Sequence, residues 1–206
     1  MLQNTSKSNG NVVEMGIDLS KNYFQIHGID SKRRVVLQKR VVRANIVSFL
    51  ANIPPCTIGI ESCASSHYWH RQFSALGHTV KILPAKHVKA YVLNQKNDSR
   101  DAAAICEALN RPDIHPVEPK SIEQQDIQIL HRVRQSLIEE RTALVCQIRS
   151  FLGEFGVFIR QGITNVRKEI PFILEDGDNE LSSMSRESVS FLYEKVVFAR
   201  QKCCNV

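Results

Sequence analysis

Short apolar runs dominate the first part of the chain and predict a region rich in β-strands. Three consecutive segments, 12–17, 23–29 and 34–41, are bounded by polar or turn-prone residues, as strands are. Because only a few residues connect these segments, we expect them to form an antiparallel meander. Two further apolar runs, at 56–60 and 80–83, predict a fourth and a fifth strand.

Helical patterns separate and follow the last two strands. They cover residues 44–51, 67–76 and 98–109, and Asn97 stands at the N-cap position of the third helix. The resulting order, βββαβαβα, predicts an α/β fold. Its mixed sheet is antiparallel first and parallel afterwards, with helices on its faces.

The pattern changes beyond residue 111. Three prolines lie close together there: Pro112, Pro116 and Pro119. Ser121 and Gln124 then have the spacing of a capping box, which predicts the start of a long helix. Apolar residues recur along this helix with heptad-like spacing: Leu130, Val133, Leu137, Leu144, Ile148 and Phe151. The stripe predicts a coiled-coil-like arm that pairs with another copy, and a helix packed against its own domain is the alternative.

The remaining residues are weakly patterned until a short helical segment at 186–200. We therefore predict four parts of the chain. They are a disordered tail at 1–11, a metal-binding sheet domain at 12–111, a linker at 112–120, and a helical arm with a C-terminal segment at 121–206.

Composition narrows the class of protein. Of the 206 residues, 43% are apolar, which favours a folded domain over a disordered chain. The apolar runs are too short to span a bilayer, and no secretory signal opens the sequence, so we expect a cytoplasmic protein without a membrane partner. The six cysteines lack paired CxxC spacing, which favours free thiols.

Positive charge is concentrated in the first part of the chain. Residues 1–110 contain 14 Lys and Arg against 7 Asp and Glu, whereas residues 111–206 contain 13 against 14. A net charge of +7 in the first part is suited to attracting a phosphate backbone. A charged face that only keeps the protein in solution is the alternative.

Four carboxylates stand where a metal site can be built. Asp18 and Glu61 follow the first and fourth strands, whose carboxyl ends we expect to be neighbours at the ligand-binding edge of the sheet. Asp98 and Asp101 share one face of a helix. Four clustered carboxylates repel one another, and two Mg²⁺ ions would neutralise them. Each acid alone also fits a turn, an ion pair or a helix-dipole role.

The strings around these acids resemble the DEDD transposases of the insertion-sequence-110 family, relatives of the Piv DNA invertase. They are Gly16-Ile17-Asp18-Leu19-Ser20-Lys21, Ile60-Glu61-Ser62-Cys63-Ala64-Ser65-Ser66-His67-Tyr68-Trp69 and Lys96-Asn97-Asp98-Ser99-Arg100-Asp101-Ala102. With a similar downstream segment, the resemblance covers about residues 12–175. It implies a RuvC-like domain of the ribonuclease H superfamily. It also implies that four residues bind Mg²⁺ or Mn²⁺ and are catalytic: Asp18, Glu61, Asp98 and Asp101.

The resemblance implies an enzyme of DNA transposition and recombination, with DNA and a structured guide RNA as partners. One departure is Ala64, where the family usually has glycine. Family members also continue into a domain with a catalytic serine, so we expect a chain truncated before that domain and incapable of strand exchange alone. The alternative function is a catalytically incomplete, dimerising fragment that binds nucleic acid and modulates a full-length transposase.

Other interpretations of the sequence are weaker. Cys63, His67 and His70 have helical spacing, but no fourth zinc ligand is evident. Tyr68 and Trp69 are expected to pack against the sheet rather than stack on bases. An actin-like sugar kinase is disfavoured because a second phosphate loop is missing.

Overall fold

The computed structural model describes residues 11–88 and 98–205, with the backbone alone at 98, 99 and 200–205. The predicted tail, apart from residue 11, and the predicted cap Asn97 lie outside the described residues. Contacts within the chain divide it into two compact units, with the boundary between Ser121 and Ile122. We call the first part the sheet unit and the second the helical unit. No helix in the described ranges is long and apolar enough to cross a bilayer.

Five strands form one mixed sheet in the sheet unit. They are β1 (Glu14–Leu19), β2 (Tyr23–Ile29), β3 (Val35–Val42), β4 (Thr57–Glu61) and β5 (Thr79–Leu83). Their spatial order is β3-β2-β1-β4-β5. The first three are antiparallel, whereas β4 runs parallel to both β1 and β5. The predicted meander followed by parallel strands is confirmed, with boundaries displaced by one or two residues.

Helices connect the strands in the predicted order. After a 3₁₀ turn at Arg43–Asn45, the helices are α1 (Ile46–Leu50), α2 (Ser66–Ala75), α3 (Ala85–Val88) and α4 (Asp98–Ala108). The order βββαβαβα is thereby confirmed, and the four-residue α3 is an addition. Side chains alternate across the sheet, so that Met15, Ile17, Ile58 and Ile60 enter the core that contains α1 and α2.

The opposite face of the sheet packs closely against α4. A Cβ atom added at Gly16 would lie 2.5 Å from the backbone nitrogen of Cys106, and closer still to the carbonyl oxygen of Ala102. One added at Gly59 would lie 2.8 Å from Leu109. Only glycine lets the backbones of strand and helix approach this closely. Gly16 therefore fixes the distance between α4 and β1, and Gly59 leaves room for the Leu109 side chain just after the helix.

The segment predicted as a linker continues along the sheet unit. Val117 forms an isolated antiparallel bridge with Ile82 at the edge strand β5. The backbone N–H of Lys120 donates to Nδ1 of His67 at 3.1 Å, and the Lys120 carbonyl accepts from Arg71 at 3.3 Å. The peptide groups at Lys120 are thus bound to side chains of α2.

Three helices form the helical unit. They are α5 (Ile122–Gly153), α6 (Ile163–Glu175) and α7 (Ser183–Asn205). The stretch that is weakly patterned in the sequence contains α6, because Val166 and Ile170 give this helix a buried face one turn apart. Gly162 and the internal Pro171 obscure this pattern in the sequence. The last helix is also longer than predicted.

The heptad-like stripe of α5 divides into two parts. Ile148 is fully buried against α6 and α7, and Leu144 packs beside it. Leu130 and Val133, nearer the start of the helix, are 52% and 45% exposed. Leu144 and Ile148 therefore belong to the core of the helical unit, whereas Phe151 at the end of the stripe is 42% exposed. In the first half, large apolar side chains face solvent.

Candidate active site

The mixed sheet brings the first two predicted site residues to neighbouring strands. Ile17 of β1 pairs with Ile60 of β4 in a parallel ladder, so Asp18 and Glu61 occupy the next step of that ladder. Adjacent strands are about 4.8 Å apart. Both acids alternate with residues of the core, and they therefore lie on the face that carries α4. Both are half-buried.

The direction of α4 places its first turn at the same end of the sheet. The last turn of α4 leads to Asn110, whose amide donates to Glu14 Oε2 at 2.6 Å, at the start of β1. Because the helix runs antiparallel to β1, its beginning lies at the carboxyl end of that strand, with Ala102 over Gly16. Position 98 is one helical turn before Ala102. Asp101 is half-buried and one turn before the fully buried Ile105.

The four predicted positions thus lie on one face at one end of the sheet. The described side chains among them do not converge on a common ligand position. Within the described ranges, no three His, Cys, Asp or Glu side chains are grouped closely enough to hold a metal ion. The side chain of Asp98 lies outside the described atoms. As carboxylates, the donors suit a hard cation such as Mg²⁺.

The contact between α4 and β1 also controls the environment of Cys106. This thiol is 2% exposed, and burial raises its pKa to about 12. The carboxylate of Glu14 acts in the same direction. A thiol with so high a pKa remains protonated at neutral pH and is a poor nucleophile. Cys106 is therefore a packing residue beside the candidate site.

The residues weighed as zinc ligands have other partners or separate positions. His67 accepts a hydrogen bond from Lys120 through Nδ1, and burial lowers the pKa of His67. Cys63 is exposed in the loop before α2, where its Sγ lies 3.8 Å from the hydroxyl of Ser65. Among the described cysteines, four are free thiols: Cys56, Cys63, Cys106 and Cys146.

Several cations of the first part of the chain have structural partners. Arg34 binds the carboxylate of Asp30 through Nε and Nη2, at 2.9 and 2.7 Å. Hydrogen bonds from the backbone and side chain of Arg34 lower the pKa of Asp30. Arg33 forms a 2.8 Å ion pair with Glu107. The positive charge at the turn between β2 and β3 is thus partly neutralised.

At the other end of β3, the cations lie over aromatic rings instead. Arg40 lies 4.1 Å from the ring centre of Tyr23, and Arg43 lies 5.1 Å from that of Trp69. Trp69 is 5% exposed, as predicted for a residue packed on the sheet, but Tyr68 is 46% exposed. Sequence reasoning did not anticipate this grouping. Its parts are separated along the chain, and only the sheet unites them.

Comparison with known proteins identifies the family. The sequence profile of the IS110 DEDD transposase family, described as a transposase, matches residues 15–156. The chain belongs to this family, which confirms the resemblance seen in the sequence. Relatives in the family are named transposases, which are enzymes.

Individual relatives show the extent of the similarity. A probable family 20 transposase of Pseudomonas aeruginosa is 46% identical over 147 residues, covering 71% of this chain and 44% of that protein. The transposase for insertion sequence element IS1328 of Yersinia enterocolitica is 43% identical, with 77% and 47% covered. The transposase for insertion sequence element IS1111A of Coxiella burnetii is 35% identical, with 89% and 50% covered. The chain spans about half the length of the curated relatives it matches.

A solved structure is also similar to part of the chain. It is T. thermophilus RuvC in complex with a Holliday junction substrate. The TM-score is 0.38 at 12% sequence identity, and the match covers 52% of this chain and 99% of that one.

Proposed function

We propose that this chain supplies the metal-dependent, nucleic-acid-binding part of a transposase that acts in DNA transposition and recombination. Family membership supports the reaction class. The observation that carries the proposal is the placement of Asp18 and Glu61 on adjacent parallel strands, on the face covered by α4. Both acids thereby lie at the end of the sheet at which α4 begins, which supports a shared site with the predicted acids of that helix.

The donor set defines the expected metal. Asp18, Glu61, Asp98 and Asp101 would hold Mg²⁺ or Mn²⁺, since hard divalent ions prefer carboxylate oxygen. A bound pair of such ions stabilises the attacking and leaving oxygens of a phosphodiester. The protein contributes rigidity, because Asp18 and Glu61 lie near the carboxyl ends of paired strands and α4 is held at its closest approach by Gly16. DNA is the proposed substrate, and a structured guide RNA is the second proposed partner.

The helical unit supports association with a second copy. Along the first half of α5, several large apolar side chains are about half exposed: Ile122, Ile127, Ile129, Leu130 and Val133. Exposed apolar stripes on a helix are suited to pairing with another helix. We therefore propose a homo-oligomer formed through α5. The same observation favours a second candidate function, a dimerising fragment that modulates a full-length transposase.

Binding of the metal tests the proposed active site directly. Mg²⁺ and Mn²⁺ should raise the melting temperature of the purified chain, because an ion that binds only the folded state stabilises it by about 2.7 kcal/mol at 100 times its dissociation constant. Replacing Asp98 and Asp101 together by asparagine should abolish the rise, since two of the ligand charges are removed. The measurement is a thermal melt with increasing metal, supported by the Mn²⁺ electron paramagnetic resonance signal.

A matched pair of exposed acids provides the control. Asp113→Asn with Glu118→Gln changes the charge of the sheet unit equally but lies outside the predicted site. This control should keep the wild-type response to metal. An equal response in the Asp98 and Asp101 variant, or none in the wild type, would refute the assignment of the four carboxylates.

A further inference from the structure

An open groove of about 780 Å³ lies beside the carboxyl end of β1. It is formed by the turn between β1 and β2, the end of β3 and the first turn of α2. Its lining includes Lys21, Asn22, Tyr23, Arg43, Tyr68 and Trp69. We call it the Arg43 groove. Its volume is within the range of about 300–1,000 Å³ that is typical of ligand sites.

Arg43 is held firmly at the wall of this groove. Its backbone N–H donates to the Asn22 carbonyl at 2.9 Å, and Nη1 donates to the Ser20 carbonyl at 3.2 Å. Its guanidinium also lies 5.5 Å from the ring centre of Phe24 and 5.1 Å from that of Trp69. A guanidinium held by one hydrogen bond and two rings, on a backbone that is itself hydrogen-bonded, loses little entropy when it binds an anion.

The charge of the groove is one-sided. Lys21 and Arg43 line it, and no acidic residue is among its described lining. Arg40 lies next to it, over the ring of Tyr23. A concave surface lined by positive charges and no negative ones concentrates anionic ligands such as phosphate groups. The groove is therefore electrostatically suited to a phosphate backbone.

Aromatic rings provide the second feature. Tyr68 is 46% exposed and Tyr23 is 40% exposed, while the Tyr68 ring rests on the edge of the buried Trp69 at 4.9 Å between ring centres. Exposed aromatic rings beside cations are the combination by which proteins bind unpaired nucleic acid, with bases stacked on rings and phosphates on Lys or Arg. In a duplex, the faces of the bases are already stacked and cannot use such rings.

We propose that the Arg43 groove binds an unpaired stretch of nucleic acid, with phosphates at Lys21 and Arg43 and a base on Tyr68. The inference deepens the proposed function and rests on it, because the groove and Asp18 are at the same end of the sheet. It assigns nucleic-acid binding to Lys21, Arg43 and Tyr68, in addition to the four acidic residues of the candidate metal site. The groove and the candidate metal site share this end of the sheet, although α2 packs on one face of the sheet and α4 on the other.

Fluorescence anisotropy with labelled 20-nucleotide probes tests this proposal in EDTA, so that metal binding plays no part. The probes are oligo(dT), oligo(U) and a DNA duplex. Tyr68→Ala should weaken oligo(dT) binding about tenfold through the loss of one stacked base, whereas Tyr68→Phe should bind normally. Lys21→Ala should reduce the slope of log affinity against log salt by about 0.7, the value for one phosphate of a single strand.

Lys32→Ala is the control for charge, because Lys32 is exposed in the turn at the opposite end of the sheet. The proposal is overturned if Lys32→Ala matches the loss caused by Lys21→Ala, or if Tyr68→Ala weakens duplex binding as much as oligo(dT) binding. Either result would leave the proposed transposase function intact. If the wild-type chain bound none of the three probes at low salt, both proposals would be refuted. Comparison of oligo(dT) with oligo(U) shows whether the occupant is DNA or RNA.

Discussion

The sheet unit and the helical unit differ in how their elements pack together. In the sheet unit, β1 pairs with β4 and packs against α4, so residues far apart in the chain meet at backbone distance. In the helical unit, α5 pairs with α7 through side chains of a common core, and half of its apolar stripe remains exposed. The candidate site therefore occurs where the backbone is tightly fixed, and the proposed association involves a helix that is only partly covered.

Substitution of a single glycine in each unit should expose the difference most clearly. Gly16→Ala should destabilise the sheet unit by about 4 kcal/mol or more, because the new Cβ would clash with the backbone of α4 and the helix must move. Gly153→Ala adds a methyl group with no neighbour within 4 Å in a helix, and it should leave stability unchanged or slightly raised. Urea unfolding followed by circular dichroism measures both. Equal effects of the two variants would contradict the contrast between the units.

Substitutions at two positions of α5 distinguish its buried half, which supports the fold, from its exposed half, which is proposed to bind a second copy. Ile148→Ala should destabilise the helical unit by about 3 kcal/mol, since Ile148 is fully buried and a cavity would remain. Leu130→Asp, at a position 52% exposed, should leave the fold unchanged but convert an oligomer to a monomer in sedimentation velocity. Unfolding by Leu130→Asp, or a wild-type chain that is monomeric at all concentrations, would contradict association through α5.

The smallest expected effect concerns pH. Burial lowers the pKa of His27, whose Nδ1 lies 3.4 Å from the amide nitrogen of Gln38. The neutral ring is favoured in the folded state, so its contribution to stability is complete above the unfolded value of about 6.5. That contribution is lost as the pH falls through the lower folded pKa.

The measurement is the urea midpoint of the sheet unit at pH 7.5 and 5.0. His27→Gln should lose less stability than the wild type over this interval, because it removes one group that must become charged on unfolding. His115→Gln, at an exposed position, should retain the wild-type difference. A wild-type midpoint that is unchanged by pH would show that His27 titrates normally.

Local patterns in the sequence determined most of the elements. Short apolar runs and short connections were sufficient for the five strands, and the capping box at Ser121 located the start of α5 within one residue. The three motifs around Asp18, Glu61 and Asp98 identified the family, which the profile over residues 15–156 confirms. The apolar pattern reports the type of each element, and the motif strings carry the resemblance to the family. Neither requires contacts between distant residues.

Tertiary structure decided how distant residues are grouped. Pairing of β1 with β4 placed Asp18 beside Glu61, and packing at Gly16 set the direction of α4 above them. The Arg43 groove combines three separate segments, so no local pattern reveals it. α6 was missed because Gly162 and Pro171 mark it as irregular, whereas burial of Val166 and Ile170 stabilises the helix. Long-range packing outweighs weak local preferences, and it is visible only when the partners are in place.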